Sequence, residues 1–315
     1  MKRKILFGFQ IIITIIIFYF IIDRFNLFKS KISLPKGNIF LIFFCIINTL
    51  VLIPYFAAKR WKSILNQLDI FTNFSRLLYI NFTSIFWGFM LPSSDGFAIF
   101  RAYQLEKKTY KKGVATSSII IEKILGLFSL ILITFISSIF FLKKELIFRK
   151  IALSSGLILT ILLFLFVFIR KLDVNKIQFF KSQQAIILFF KTIYQTITQY
   201  SILKMYKKSF YYIFPVQILS IINVAIIFRM YGIEIPIFTH FILVPVIQCI
   251  SLIPLTISGF GLREGAFIYF YNNYSIEPEI AFSVSILNYV TMILLPAILG
   301  GILSGKILLM ERNEK

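Results

Sequence analysis

The sequence predicts an all-α polytopic integral membrane protein with about six full spans and two broken, re-entrant hairpin segments. Three observations carry that prediction. Of the 315 residues, 58% are hydrophobic and 15% charged, with mean hydropathy +0.87, whereas a soluble domain carries about 25% charged residues. Apolar runs long enough to cross a bilayer recur along the chain. Two further hydrophobic regions are interrupted near their middle by Pro, Ser and Gly, and both carry charges there.

The first run, Ile5 to Ile22, follows the basic start MKRK; its eighteen residues cover about 27 Å as a helix, close to a hydrocarbon core. It is longer than a signal peptide's apolar region and has no small-residue cleavage site, so it reads as an uncleaved span. The other full spans fall at about 39–57, 124–142, 151–169, 210–228 and 281–304. Between 171 and 208 the spacing of Ile186, Phe190, Ile193, Ile197 and Tyr200 gives one apolar helical face. With Lys176, Lys181 and Lys191 this segment suits an interfacial helix, or an extension packed on other helices.

The interrupted regions lie at about 77–100 and 241–272 and contain GFMLPSSDGFAIFRA (88–102) and SLIPLTISGFGLREGA (251–266). Pro92 precedes Arg101 by nine residues, and Pro254 precedes Arg263 by nine. Each has a serine, then Gly-Phe (Gly96-Phe97, Gly259-Phe260), then the arginine. Paired interrupted segments in corresponding positions of two halves point to a transporter's binding site. Irregular backbone at membrane depth is tolerated only where protein or water satisfies its N–H and C=O groups.

Charge in the flanks sets the topology. Lys59, Arg60, Lys62 and Arg76 precede the first break, and Lys107, Lys108, Lys111 and Lys112 follow it, so both of its flanks read as cytoplasmic. Glu234, Glu277 and Glu279 flank the second break, which reads as entering from outside. The result is one domain over 1–315, with half-repeats at about 1–170 and 209–315 arranged as inverted repeats and joined by 171–208. Both termini fall in the cytoplasm and the membrane is the bacterial or archaeal plasma membrane. This scheme leaves the cations of KKELIFRK (143–150) outside, against the positive-inside rule.

Several function classes are set aside. The formal charge of +21 is spread between apolar runs, which suits anionic lipid headgroups and topology rather than nucleic acid. Cys45 and Cys249 lie far apart in apolar runs and His240 is the single histidine, so neither a disulfide framework nor a metal site is expected. GGILSGKI (300–307) has Ile307 where a phosphate-binding loop needs Ser or Thr, and it ends an apolar helix. No cofactor is expected, and no catalytic constellation can be assembled.

The charged residues at depth are the candidate site. A charge at the bilayer centre costs about 2.5–3.5 kcal/mol on insertion scales, and such residues usually serve a function. Arg263 and Glu264 are sequence neighbours whose side chains leave a helix about 100° apart, so each is expected to need a partner elsewhere or a wet cavity. Gly259, Gly261 and Gly265 would let backbone approach a ligand, and a helix starting near Leu262 would aim its N-terminus at the break. An arginine fork and a helix N-terminus both favour phosphate or carboxylate, so an anionic headgroup is the natural ligand. Arg263, Arg101, Ser258, Gly259 and Gly261 are the headgroup candidates. Glu264, Glu122, Lys123 and Asp95 are the candidates for coupling or gating, through a cation, a proton or a lipid ammonium.

These motifs resemble the transmembrane domain of lysylphosphatidylglycerol synthases and related stand-alone flippase-like membrane proteins. The G-x-R-E-G hallmark, with its proline and small residues, is matched by Pro254, Ser258, Gly259, Gly261, Arg263, Glu264 and Gly265. A Leu-Pro with an acidic residue and Gly before an arginine is matched by Leu91, Pro92, Asp95, Gly96 and Arg101. Glu122-Lys123 matches an acidic-basic pair that opens the next span, where the family usually has arginine at the second position; Phe260 stands where it usually has a second glycine. The resemblance covers about residues 5 to 305. It implies a flippase-like fold that binds or moves anionic or aminoacylated phospholipid, or a polyprenyl-linked lipid, beside a possible separate lipid-modifying enzyme. The bifunctional synthases carry a soluble catalytic domain after this region, whereas this chain ends in KILLMERNEK, so aminoacyl transfer by this polypeptide is not expected. The alternatives are a polyprenyl-phosphate glycosyltransferase or its partner subunit, and a lipid-binding scaffold that does not transport.

Overall fold

The structure, a computed structural model, describes residues 38–90, 96–109, 113–140, 146–171, 202–253, 255–256 and 259–313, with scattered positions between 12 and 23. The described residues are helical apart from short turns and contain no strand. The protein is an all-α, multi-pass integral membrane protein. Four helices among the described residues are long and apolar enough to cross a bilayer: Ile39–Gln67, Val114–Ile139, Lys204–Met230 and Pro278–Gly305. The expected first span lies mostly outside the described residues; its described positions are helical, and Ile17 and Ile22 pack on the core. The interfacial segment lies outside them from 172 to 201.

Among the described residues from 38 onward, nine α-helices follow in order. α1 is the continuous Ile39–Gln67 and α4 is Val114–Ile139. Between them lies the first broken segment, α2 (Phe74–Met90) and α3 (Gly96–Thr109). α5 is Leu146–Lys171 and α6 is Ile202–Met230. The second broken segment is α7 (Ile237–Ser251) and α8 (Leu262–Tyr271), and α9 runs from Pro278 to Asn313. Leaving α5 aside, the chain therefore repeats one order: long helix, two short helices, long helix.

The breaks fold the short helices back as hairpins. α2 packs along α3, and a Cβ placed on Gly88 would lie 2.5 Å from the backbone nitrogen of Phe97, an approach that only glycine permits. α7 packs along α8, and a Cβ on Gly259 would lie 2.8 Å from the carbonyl oxygen of Ser251.

Packing between the two sets is reciprocal. α1 lies against α6. The first hairpin's α2 packs on α9, and the second hairpin's α7 packs on α4. Within each set the first helix also touches its hairpin and its last helix, as α1–α2 with α1–α4 and α6–α7 with α6–α9. Exchanging the sets maps the α1–α6 contact onto itself and each of the others onto its counterpart.

Two turns of π-helix interrupt the long helices, Asn48–Leu52 in α1 and Val290–Leu294 in α9. Each stands just before a proline, Pro54 and Pro296. A proline has no N–H to donate and its ring crowds the carbonyl four residues back, and a widened turn relieves both. The π turns meet at a buried polar network centred on Asn223 of α6. Its Oδ1 accepts from Asn48 Nδ2 at 3.3 Å and from Cys45 Sγ at 3.0 Å, and its Nδ2 donates to Asn288 Oδ1 at 3.1 Å and Thr291 Oγ1 at 3.2 Å. Asn48 also donates to the carbonyl of Leu219 at 2.9 Å. Three long helices are thus tied together where no water competes for their polar groups.

The contact of α2 with α9 depends on the absence of side chains. A Cβ on Gly300 would sit 2.0 Å from the Phe82 carbonyl oxygen, and one on Gly301 would sit 2.9 Å from the Phe86 ring. One on Gly305 would meet nothing within 4 Å. Gly300→Ala is expected to destabilise the protein by about 1–3 kcal/mol through overpacking, and Gly305→Ala by less than about 0.5 kcal/mol. Thermal unfolding of the purified protein in detergent measures both.

Candidate functional site

The charges at depth gather into two clusters, one beside each hairpin. The first is centred on Glu122, which the register of α4 turns inward with Ser118 and Leu125. Glu122 Oε1 accepts from Arg60 of α1, at 2.9 Å from Nε and 2.5 Å from Nη2. Its Oε2 lies 2.8 Å from Nη2 of Arg101 on α3. That last pair is close but misaligned for a hydrogen bond, and among the described residues Arg101 Nε has no acceptor. The Arg101 guanidinium stands 3.9 Å from the centroid of Trp61 and 5.1 Å from that of Phe97. Trp61 is fixed in turn by donating to Ser118 Oγ at 3.0 Å. Arg101 is 4% exposed and Glu122 is 3% exposed, so two guanidinium groups and one carboxylate share a nearly dry site on three helices.

The second cluster lies at the start of α8. Gly259 and Gly261 take φ of +73° and +89°, which lets the chain reverse into the helix within three residues. Glu264, fully buried, caps this helix start: its Oε2 accepts the Gly261 N–H at 2.6 Å. Its Oε1 accepts from Arg263 Nη2 at 2.6 Å, from Arg263 Nε at 3.0 Å and from Ser285 Oγ at 3.1 Å. Arg263 lies 4.5 Å from the Tyr289 ring centroid and 5.8 Å from that of Phe260.

The geometry corrects the expectation that Arg263 and Glu264 need separate partners, because they pair with each other. In the first turn of a helix the glutamate folds back to the cap, and the long arginine stem wraps over it. The 100° rule describes the direction of each Cβ, and two flexible side chains at a helix start can close that angle.

The residues predicted for headgroup binding and for coupling or gating divide between the clusters. Arg101 and Glu122 meet on one side, and Arg263, Glu264, Gly259 and Gly261 on the other. Lys123 is exposed. Ser258 and Asp95 lie outside the described residues, as do Leu91, Pro92 and Pro254. Sequence reasoning missed Arg60, read there as one of a flanking cationic run. The signal was available: Ala58, Trp61, Ile64, Leu65 and Leu68 continue an apolar helical period straight through that run. Ser285 and Tyr289, which complete the second cluster from α9, carry no signal in their own surroundings.

The two sites share a plan. Each hairpin's Gly-Phe supplies a phenylalanine beside its arginine, a second aromatic comes from a long helix, and a carboxylate pairs with the guanidinium. Among the described residues they differ in charge, with the second pairing one guanidinium with one carboxylate and the first setting two guanidinium groups against one.

A helical bundle with interrupted hairpins and arginines held in its interior defines a multi-pass membrane protein built around polar sites between its helices. The chain belongs to the family of the lysylphosphatidylglycerol synthase TM region, which it matches over residues 6–300. It is similar to a UPF0104 membrane protein of Methanocaldococcus jannaschii, with 23% identity over 289 aligned positions that cover 79% of this chain and 80% of the relative. A UPF0104 membrane protein of Methanothermobacter thermautotrophicus is 22% identical over 329 aligned positions, covering 95% of this chain and 92% of the relative. No solved structure matches the chain.

Removing one member of a buried ion cluster leaves the others uncompensated, at a cost of about 3–5 kcal/mol. Glu122→Gln, which leaves Arg60 and Arg101 facing one another, is expected to destabilise the protein by about 3 kcal/mol. Adding Arg60→Gln to it recovers part of that loss. Unfolding midpoints of the single and double variants test both statements.

Proposed function

We propose that the protein is a flippase-like transporter that binds anionic or aminoacylated phospholipid by its headgroup and moves it between leaflets. The observation that carries this reading is the charge imbalance of the first cluster. Two guanidinium groups against one carboxylate, with Arg101 only 4% exposed and its Nε donor unmet among the described residues, favour an anion in the third position. A headgroup phosphate supplies that anion, and Trp61 and Phe97 hold the guanidinium in place to receive it. In the second cluster Arg263 is already neutralised and becomes available only when its pairing to Glu264 opens, so this pair serves as the gate.

The reciprocal packing of the two helix sets supports an inverted-repeat arrangement, with α1 to α4 and α6 to α9 as the repeating units. The positive-inside rule then gives each hairpin entry from its own side of the membrane, and places both termini in the cytoplasm. The membrane is the plasma membrane, and a separate lipid-modifying enzyme would supply the lipid if it is aminoacylated.

Leaflet exchange of fluorescent phosphatidylglycerol in proteoliposomes tests the reading. Wild-type protein is expected to speed exchange, Arg101→Gln to reduce that acceleration at least about tenfold, and Arg263→Lys to reduce it less. Exchange by folded Arg101→Gln at the wild-type rate would overturn it.

A further inference from the structure

A third basic feature shares no residue with either cluster. A cleft of about 790 Å³ opens between the ends of α1 and α6, lined by Lys59 and Lys62 from α1 and by Lys204, Lys208 and Tyr212 from α6, with Asp69 at its edge. Its size is that of a small-ligand site.

The helical register builds it. Lys59, Lys62, Ser63 and Asn66 follow three-and-four spacing on α1, and Lys204, Lys208 and Tyr212 follow fours on α6, so each helix presents a single stripe. The walls are held together: Ser209 Oγ donates to Ser63 Oγ at 3.1 Å, Ser63 Oγ donates to the Lys208 carbonyl at 3.4 Å, and Met205 is buried in the floor. The Lys59 ammonium is placed over the rings of Tyr55 and Phe74, at 5.5 and 5.1 Å from their centroids. Among the described residues, four lysines and one aspartate thus line the cleft, on two helices that pack against each other. A concave site of this kind attracts and concentrates anions.

We infer that this cleft is a binding site for a phosphate-bearing anion, separate from the arginine clusters, and that it receives the headgroup of an anionic phospholipid from the adjacent leaflet. The lipid as source rests on the proposed function; the phosphate chemistry rests on the cleft alone. A lysine is a mobile point charge on a flexible stem, suited to capturing a headgroup and passing it on, whereas a stacked arginine suits a fixed, oriented grip. The cleft is therefore a vestibule, where a headgroup is collected before it is committed to the interior.

The test uses full-length protein in neutral detergent, with dihexanoyl phosphatidylglycerol and inorganic phosphate as probes and saturation followed by thermophoresis. Wild-type protein is expected to bind the short-chain lipid saturably. Lys62→Gln/Lys208→Gln should raise the half-saturating concentration about tenfold or more, and Lys62→Arg/Lys208→Arg should hold it within about threefold. Saturation by inorganic phosphate, with the same dependence on these lysines and no competing lipid binding, would keep the anion site and overturn the lipid as its source. Equal binding by wild type and the folded glutamine variant, or saturation by neither probe, would overturn the site. Because Arg101 and Arg263 are untouched in these proteins, failure here and failure of the exchange experiment report on different residues.

Discussion

Lipid leaves no water for an unpaired backbone group, and the architecture of this protein follows from how it meets that constraint. At three interruptions of the helical ladder among the described residues, a buried polar side chain stands at the interruption. The π turn in α1 begins at Asn48 and that in α9 contains Thr291, and both join the network around Asn223. The reversal at Gly259 and Gly261 is held by Glu264, whose carboxylate takes a backbone N–H that α8 cannot satisfy itself. That carboxylate is a charge, and it in turn brings in Arg263 and Ser285. At these places the polar interior grows outward from the break, one group satisfying the next.

The same reasoning separates the two arginine clusters. At the second, the sequence of needs closes: backbone, glutamate, arginine and serine account for one another. At the first it does not close, because Glu122 already has Arg60 when Arg101 arrives. Stacking on Trp61 and Phe97 makes the second guanidinium tolerable without neutralising it. One cluster is a closed set of partners. The other, among the described residues, sets two guanidinium groups against one carboxylate.

Much of this is legible in the residues. Composition and apolar runs give the class of protein, and the repeated Pro, Ser, Gly-Phe and Arg pattern marks both hairpins, because a broken span must announce itself with residues that tolerate unusual backbone. Glu122 and Arg101 also stand out, since charge inside an apolar run is costly enough to demand a reason. Their common partner Arg60 is hidden by its neighbours: among Lys59 and Lys62 a cation looks like topology signal, and only the helical phase distinguishes it. The pairing of Arg263 with Glu264 is hidden for another reason. Spacing rules describe helix interiors, and this pair occupies a first turn. The meeting of Asn48, Asn223 and Asn288 depends on which long helices touch, and that information is spread over the whole chain.

The exchange of arms between the two sets of helices has a consequence for biogenesis. α2 and α3 are made long before α9, yet α9 is the helix that covers α2, through a contact tight enough to exclude a single methyl group at Gly300. During synthesis the first hairpin must stand in the membrane with one flank bare while about two hundred more residues are threaded in. The second hairpin has no such wait, since α4 is already in place when α7 is inserted. The first hairpin is thus half-clasped until α9 arrives, and the closing of that clasp, rather than the insertion of either hairpin helix, completes its packing.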